Sequence, residues 1–122
     1  MGKNILVVDD CEDVRVLLSM KLTNMGHHVY EACDGLDALR YIDECHDIDL
    51  ILMDLIMPNM SGVELLKKIK KRNYDFKIVC ISAHFGESDK DYFYNLGALD
   101  VIEKPIKNKA LEKKLSDSLN ST

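Results

Sequence analysis

Five short apolar runs, separated by longer amphipathic stretches, restrict what this chain can fold into. The runs are Ile5-Leu6-Val7-Val8, Val29-Tyr30-Glu31-Ala32, Leu50-Ile51-Leu52-Met53, Ile78-Val79-Cys80-Ile81 and Val101-Ile102. The first, third and fourth have no polar break, which marks strands covered on both faces and hence a parallel sheet. The second reads as a more exposed strand. Between the runs, apolar residues recur at helical spacing: Val14, Leu17, Leu18, Leu22 and Met25; Ala38, Leu39 and Ile42; Val63, Leu66 and Ile69; Tyr92, Phe93 and Leu96; Leu111, Leu115 and Leu119. Gly26 and Gly97 read as helix stops. Asp34 with Asp37, Ser61 with Glu64, and Ser88 with Asp91 read as caps. Five βα units in succession, joined by right-handed crossovers, predict an α/β doubly wound sandwich with a five-stranded parallel sheet.

A chain of 122 residues suits one domain, taken here as 1–122 with no output domain attached. Its 16 basic and 21 acidic residues leave a net charge of −5, which argues against a nucleic-acid binder working by phosphate neutralisation. The apolar runs are far too short to cross a bilayer, and Met1-Gly2-Lys3-Asn4 carries no signal-peptide pattern. A cytoplasmic location is expected. Cys11, Cys33, Cys45 and Cys80 show no C-x-x-C pairing and no zinc-like spacing with histidine, so they read as free thiols, with Cys80 in the core. His27-His28 reads as a solvated turn and His46 as loop.

In a doubly wound sheet, ligands bind beyond the carboxyl ends of the strands. Asp9 and Asp10 follow the first run, Asp54 the third, Ser82 the fourth, and Lys104-Pro105 comes shortly after the fifth. Three carboxylates, a hydroxyl and an ammonium therefore gather on one edge. Two carboxylates about 4 Å apart repel by roughly 4 kcal/mol at an effective dielectric near 20. One lysine and one divalent cation would neutralise three of them. An all-oxygen donor set selects Mg²⁺, with Mn²⁺ as an alternative, over zinc. Such a site would accept a phosphoryl group, and Asp54 is the candidate nucleophile, since a carboxylate can form an acyl phosphate. Pro58, Ser61 and Gly62 behind it mark a loop and a helix start. A surface acidic cluster with an incidental ion pair is the competing reading of the same five positions.

The run ending in Asp9-Asp10, the segment Met53-Asp54-Leu55-Ile56-Met57-Pro58 with Gly62, the pair Ser82-Ala83 and Lys104-Pro105 resemble the response-regulator receiver domain, in the same order and over essentially the whole chain. The resemblance implies a flavodoxin-like (βα)5 sandwich with strand order 2-1-3-4-5. It implies a two-component or phosphorelay role, in which Asp54 takes a phosphoryl group from a phosphohistidine of a sensor histidine kinase or phosphotransfer protein. Asp10, Asp54 and the Ile56 backbone carbonyl would bind Mg²⁺ directly, and Asp9 through water. Ser82, Ala83 and Lys104 would form the phosphoryl-binding and switch group. A downstream protein would read the face made by helix four, strand five and helix five. On this reading the chain is a switch, not an enzyme, and needs neither nucleic acid nor membrane.

Two features depart from the family pattern. The position three before the lysine, usually aromatic, is Val101, so the family's ring-flip switch cannot operate in its usual form. Ile56 and His84 stand where the family tunes the lifetime of its phosphoryl group; Ile56 should hinder an attacking water, while His84 either positions one or is a plain loop histidine. Three other functions compete. A small Mg²⁺-dependent aspartyl phosphohydrolase would need a second carboxylate where Ile56 stands. A flavodoxin-like cofactor binder would need a Ser-, Thr- or Gly-rich loop where Asp9-Asp10-Cys11-Glu12-Asp13 stands. A receiver-like adaptor that signals without phosphorylation fits Val101 but leaves the complete acidic, hydroxyl and lysine set without a purpose.

Overall fold

The computed structural model describes residues 2–44, 47–55, 60–72, 76–82, 87–104 and 106–120. Strands and helices alternate throughout: β1 (Asn4–Val8), α1 (Glu12–Asn24), β2 (His28–Ala32), α2 (Gly35–Glu44), β3 (Leu50–Asp54), α3 (Gly62–Lys71), β4 (Lys77–Ser82), α4 (Glu87–Asn95), β5 (Asp100–Glu103) and α5 (Asn108–Leu119). All neighbouring strands pair in parallel, in the order β2-β1-β3-β4-β5. The unbroken apolar runs have a direct cause. Successive strand residues point to opposite faces, and here both faces are roofed by helices. Leu6, Val8, Ile51, Met53, Ile78 and Cys80 pack with α2 and α3 on one side. Ile5, Val7, Leu50, Leu52, Val79 and Ile81 pack with α1 and α5 on the other.

The helix boundaries follow the expected chemistry at four places. The Asp37 N–H donates to Asp34 Oδ1 at 2.8 Å, and Asp37 Oδ2 accepts from the Cys33 N–H at 3.2 Å, a reciprocal cap for α2. Ser61 Oγ accepts from the Glu64 N–H at 3.2 Å and caps α3. Gly26 and Gly97 sit at φ 96° and 111°, where a side chain would be strained. Ser88 departs from expectation, since α4 already includes Glu87 and Ser88 lies within the helix. Leu17 departs as well, at 54% exposure. Leu18 and Leu22 form the buried stripe of α1, with Val14 and the C-cap residue Met25 half-buried beside them, and Leu17 lies on its flank. His27 is half-buried rather than solvated, and its Nδ1 accepts from the Lys3 N–H at 3.1 Å. Burial lowers its pKa.

Cys80 is fully buried, and desolvation pushes its thiol up to about 12. Cys11 and Cys33 are exposed, while Cys45 and His46 lie outside the described residues. In the native protein a thiol-specific reagent should modify Cys11 and Cys33 readily and leave Cys80 untouched until denaturant is added. Peptide mass mapping reads this directly; rapid native labelling of Cys80 would contradict the burial. No helix among the described residues is long and apolar enough to cross a membrane.

Candidate functional site

The strand register builds the site. Val8 pairs with Met53, so Asp9 and Asp54 emerge side by side from β1 and β3. Asp54 pairs with Ile81, which sets Ser82 one step beyond it on β4. The Lys104 N–H donates to the Ser82 carbonyl at 2.8 Å and carries the β4–β5 pairing out to the lysine. Carboxylate oxygens of Asp9, Asp10 and Asp54 lie within 4.8 Å of one another. Asp9, Asp54 and Ser82 are buried, whereas Asp10 faces solvent. Lys104 Nζ donates to Asp54 Oδ2 at 3.0 Å. The residues singled out at the strand ends of the sequence therefore do meet in one place. Ile56, Pro58, Ala83, His84 and Pro105 lie outside the described residues. Val101 is 3% exposed and packs in the layer that also holds Phe93 of α4. Tyr92 and Tyr94 point outward, at 48% and 42% exposure.

The electrostatics are unbalanced. Three carboxylates face one ammonium, leaving two negative charges in excess. Burial raises the Asp9 pKa; the Cys11 N–H, 2.9 Å from its Oδ1, works against that, and the charges of Asp54 and Asp10 add to it. Burial alone would lower the Lys104 pKa, but the hydrogen bond to Asp54 and the charges of Asp54, Asp9 and Asp10 outweigh it and raise the value. Asp9 Oδ2 is buried with no hydrogen-bond partner among the described residues. A buried carboxylate oxygen without a donor is costly. An orphaned oxygen, an all-oxygen donor set and a double negative excess together fit a hard divalent cation such as Mg²⁺.

Two contributors carry no motif that sequence reasoning would single out for these roles. A Cβ built on Gly62 would stand 2.6 Å from Leu55 Cα and 2.9 Å from the Asp54 carbonyl oxygen, so glycine is required by close approach, not by turn geometry alone. Arg15 Nη1 donates to the Asp9 carbonyl at 2.9 Å, and its Nε donates to Glu31 Oε1 at 3.1 Å. In sequence, Arg15 is indistinguishable from an ordinary cation on an exposed helix.

The family model described as the response regulator receiver domain matches residues 5–116. The probable transcriptional regulator ycf27 of Cyanidium caldarium is 35% identical over 116 residues, which is 95% of this chain and 46% of that protein. The alkaline phosphatase synthesis transcriptional regulatory protein PhoP of Bacillus subtilis is 38% identical over 106 residues, 87% of this chain and 44% of that protein. The chain thus spans under half the length of these curated relatives. Among solved structures, the Vibrio cholerae chemotaxis protein CheY4 superposes with a TM-score of 0.89 at 27% identity, covering 97% of this chain and 99% of that one. The receiver domain of Francisella response regulator 1452 gives a TM-score of 0.90 at 26% identity, covering 97% of each chain. From the matched span and the shared strand order, the chain belongs to the response-regulator receiver domain family and is a receiver domain of a two-component response regulator.

Proposed function

We propose that Asp54 accepts a phosphoryl group from a phosphohistidine of a histidine kinase or phosphotransfer protein, and that the acyl phosphate shifts the chain between two conformations read by a downstream protein. The observation that carries this reading is the cluster of three carboxylates within 4.8 Å, with Lys104 bonded to Asp54. An Asp54 carboxylate oxygen attacks phosphorus, the N–P bond of the donor breaks, and its electron pair leaves with the imidazole. Lys104 then shifts its hydrogen bond from the carboxylate to a phosphoryl oxygen, and Ser82 donates to another. This is catalysis by positioning and charge stabilisation. Asp10, Asp54 and the Ile56 carbonyl would hold Mg²⁺, with Asp9 in its outer sphere; the bound ion would neutralise the carboxylates and the incoming phosphoryl oxygens. Ala83 joins Ser82 in the switch segment, and Ile56 and His84 set how long the phosphoryl group survives.

Phosphorylation must favour a conformation already accessible to the chain. The face of α4, β5 and α5 is the proposed readout. With Val101 where the family usually has an aromatic ring, ring exchange cannot transmit the signal, and that departure supports a second reading as an adaptor that works without phosphorylation. The two separate cleanly. Incubation with Mg²⁺ and a small acyl-phosphate donor should add one phosphoryl mass to the wild type and none to Asp54→Asn. Addition should stop when the metal is chelated. A wild type that stays unmodified while folded and metal-bound would exclude the phosphoacceptor reading and leave the adaptor.

A further inference from the structure

We propose that Arg15 is a positioning residue for the acidic pocket, tying the Asp9-Asp10 peptide to edge strand β2 through Glu31 and thereby setting divalent-cation affinity; this rests on the phosphoacceptor reading above. Asp9 and Asp10 are adjacent, so the peptide unit between them fixes how one carboxylate is aimed relative to the other. The carbonyl of that peptide unit is the one that accepts from Arg15 Nη1 at 2.9 Å. The Asp9 side chain is held separately, by the Cys11 N–H at 2.9 Å. Asp10 is exposed, so its aim depends on the backbone that Arg15 clamps. The guanidinium side chain is 15% exposed and is itself held by Glu31 Oε1 at 3.1 Å. One planar fork therefore links α1, the end of β1 and β2. A lysine has a single nitrogen and cannot hold both partners in that geometry.

The charge argument and the positioning argument give opposite signs, which makes the proposal decidable. Removing a cation near a dication site, with no other effect, strengthens metal binding. Removing an outer group that orients a ligand weakens it, typically by about 10–100-fold. Mg²⁺ binding is measured by calorimetry on the whole chain, with thermal melts in chelator to confirm folding. Arg15→Ala is expected to weaken Mg²⁺ about 10-fold or more, and Arg15→Lys, which keeps the charge, to weaken it nearly as much. Glu31→Gln should weaken it less, and the double variant Arg15→Ala/Glu31→Gln should be no worse than Arg15→Ala. Unchanged or tighter Mg²⁺ binding in folded Arg15→Ala overturns the proposal, as does full retention of affinity in Arg15→Lys. If the wild type itself takes up no Mg²⁺, the metal-site reading fails first and the clamp has nothing to position. If Arg15→Ala does not fold, Arg15→Lys and Glu31→Gln still decide.

Discussion

Gly62→Ala is expected to cost about 2–3 kcal/mol of stability and to slow phosphorylation of Asp54 on the order of 100-fold. The added methyl carbon would meet Leu55 Cα at 2.6 Å, the Asp54 carbonyl oxygen at 2.9 Å and Leu55 Cδ2 at 3.0 Å. Two of those neighbours are backbone and cannot rotate away. The Gly62 N–H also donates to the Leu55 carbonyl at 2.9 Å, so the start of α3 is stapled to the residue directly after Asp54. Any outward shift of α3 pulls on the end of β3, and with it on the carboxylate that, on the phosphoacceptor reading, must meet phosphorus in line. Against this stands the gain of replacing glycine by alanine in a helix, about 1 kcal/mol at most. The clash should win. Gly35→Ala supplies the contrast. Its new carbon would meet Met60 Cβ and Sδ at 2.9 Å; the sulfur can swing aside and the Cβ yields only with a small shift of Met60, but neither atom belongs to the Asp54-Leu55 backbone. Chemical denaturation and acyl-phosphate labelling of both variants test the difference. Equal losses of labelling rate for folded Gly62→Ala and Gly35→Ala would contradict the view that Gly62 holds Asp54 in place.

That contrast also shows what the amino-acid order reveals and what it hides. Ile51 and Leu52 enter opposite layers although they are neighbours, so a strand buried on both sides must read as one unbroken apolar run. This makes the parallel sheet legible, and parallel register then makes the site legible, because residues just past the ends of adjacent runs must emerge together. Asp9, Asp54, Ser82 and Lys104 were identifiable for that reason. The strand order itself is not contained in the run pattern; it came from the family resemblance. Leu17 shares the helical spacing yet is exposed, because spacing alone does not say which edge of an apolar stripe turns outward. Gly62 is legible as turn punctuation and as part of the family motif, but its close approach to Asp54 and Leu55 is not, and Arg15 is not legible at all, for a different reason. Each acts on backbone atoms, through a close approach in one case and a hydrogen bond to a carbonyl in the other, and backbone atoms carry no sequence signature. Val101 was legible as a departure, and its burial shows that the position still belongs to the core although it has lost the ring.

Asp9→Asn should make the metal-free protein more stable at neutral pH, by roughly 1–2 kcal/mol, the usual scale for relieving a buried, unsatisfied polar atom. The carboxylate is 1% exposed, and one of its oxygens lacks a donor among the described residues. Burial, with Asp54 and Asp10 nearby, raises its pKa above the ordinary 3.8. The folded chain therefore holds this proton more tightly than the unfolded chain does. Between the unfolded and the folded pKa the native state binds more protons, so stability falls as pH rises through that window and stays low above it. Below 3.8 the carboxyl is protonated in both states, and the advantage of Asn should disappear. Lys104 has the same sign of linkage in a different window: its raised pKa contributes stability that is present at neutral pH and lost only in strong base, above the ordinary 10.5. The asparagine oxygen can still accept from the Cys11 N–H, while its amide brings a donor to a neighbourhood of carboxylates. Mg²⁺ should reverse the order. A ligand present at 100 times its dissociation constant stabilises the folded state by about 2.7 kcal/mol, and the wild type, with its full negative excess, should capture more of that than the variant. Melts in chelator and in excess Mg²⁺, each at about pH 3 and pH 7, give four comparisons. Wild type superior in chelator at pH 7, or Mg²⁺ stabilising both chains equally, would mean that the Asp9 carboxylate is neither under strain nor relieved by a cation. The reversal, if seen, would identify the buried repulsion as the stored cost that makes this edge of the sheet receptive to a metal and, through it, to a phosphoryl group.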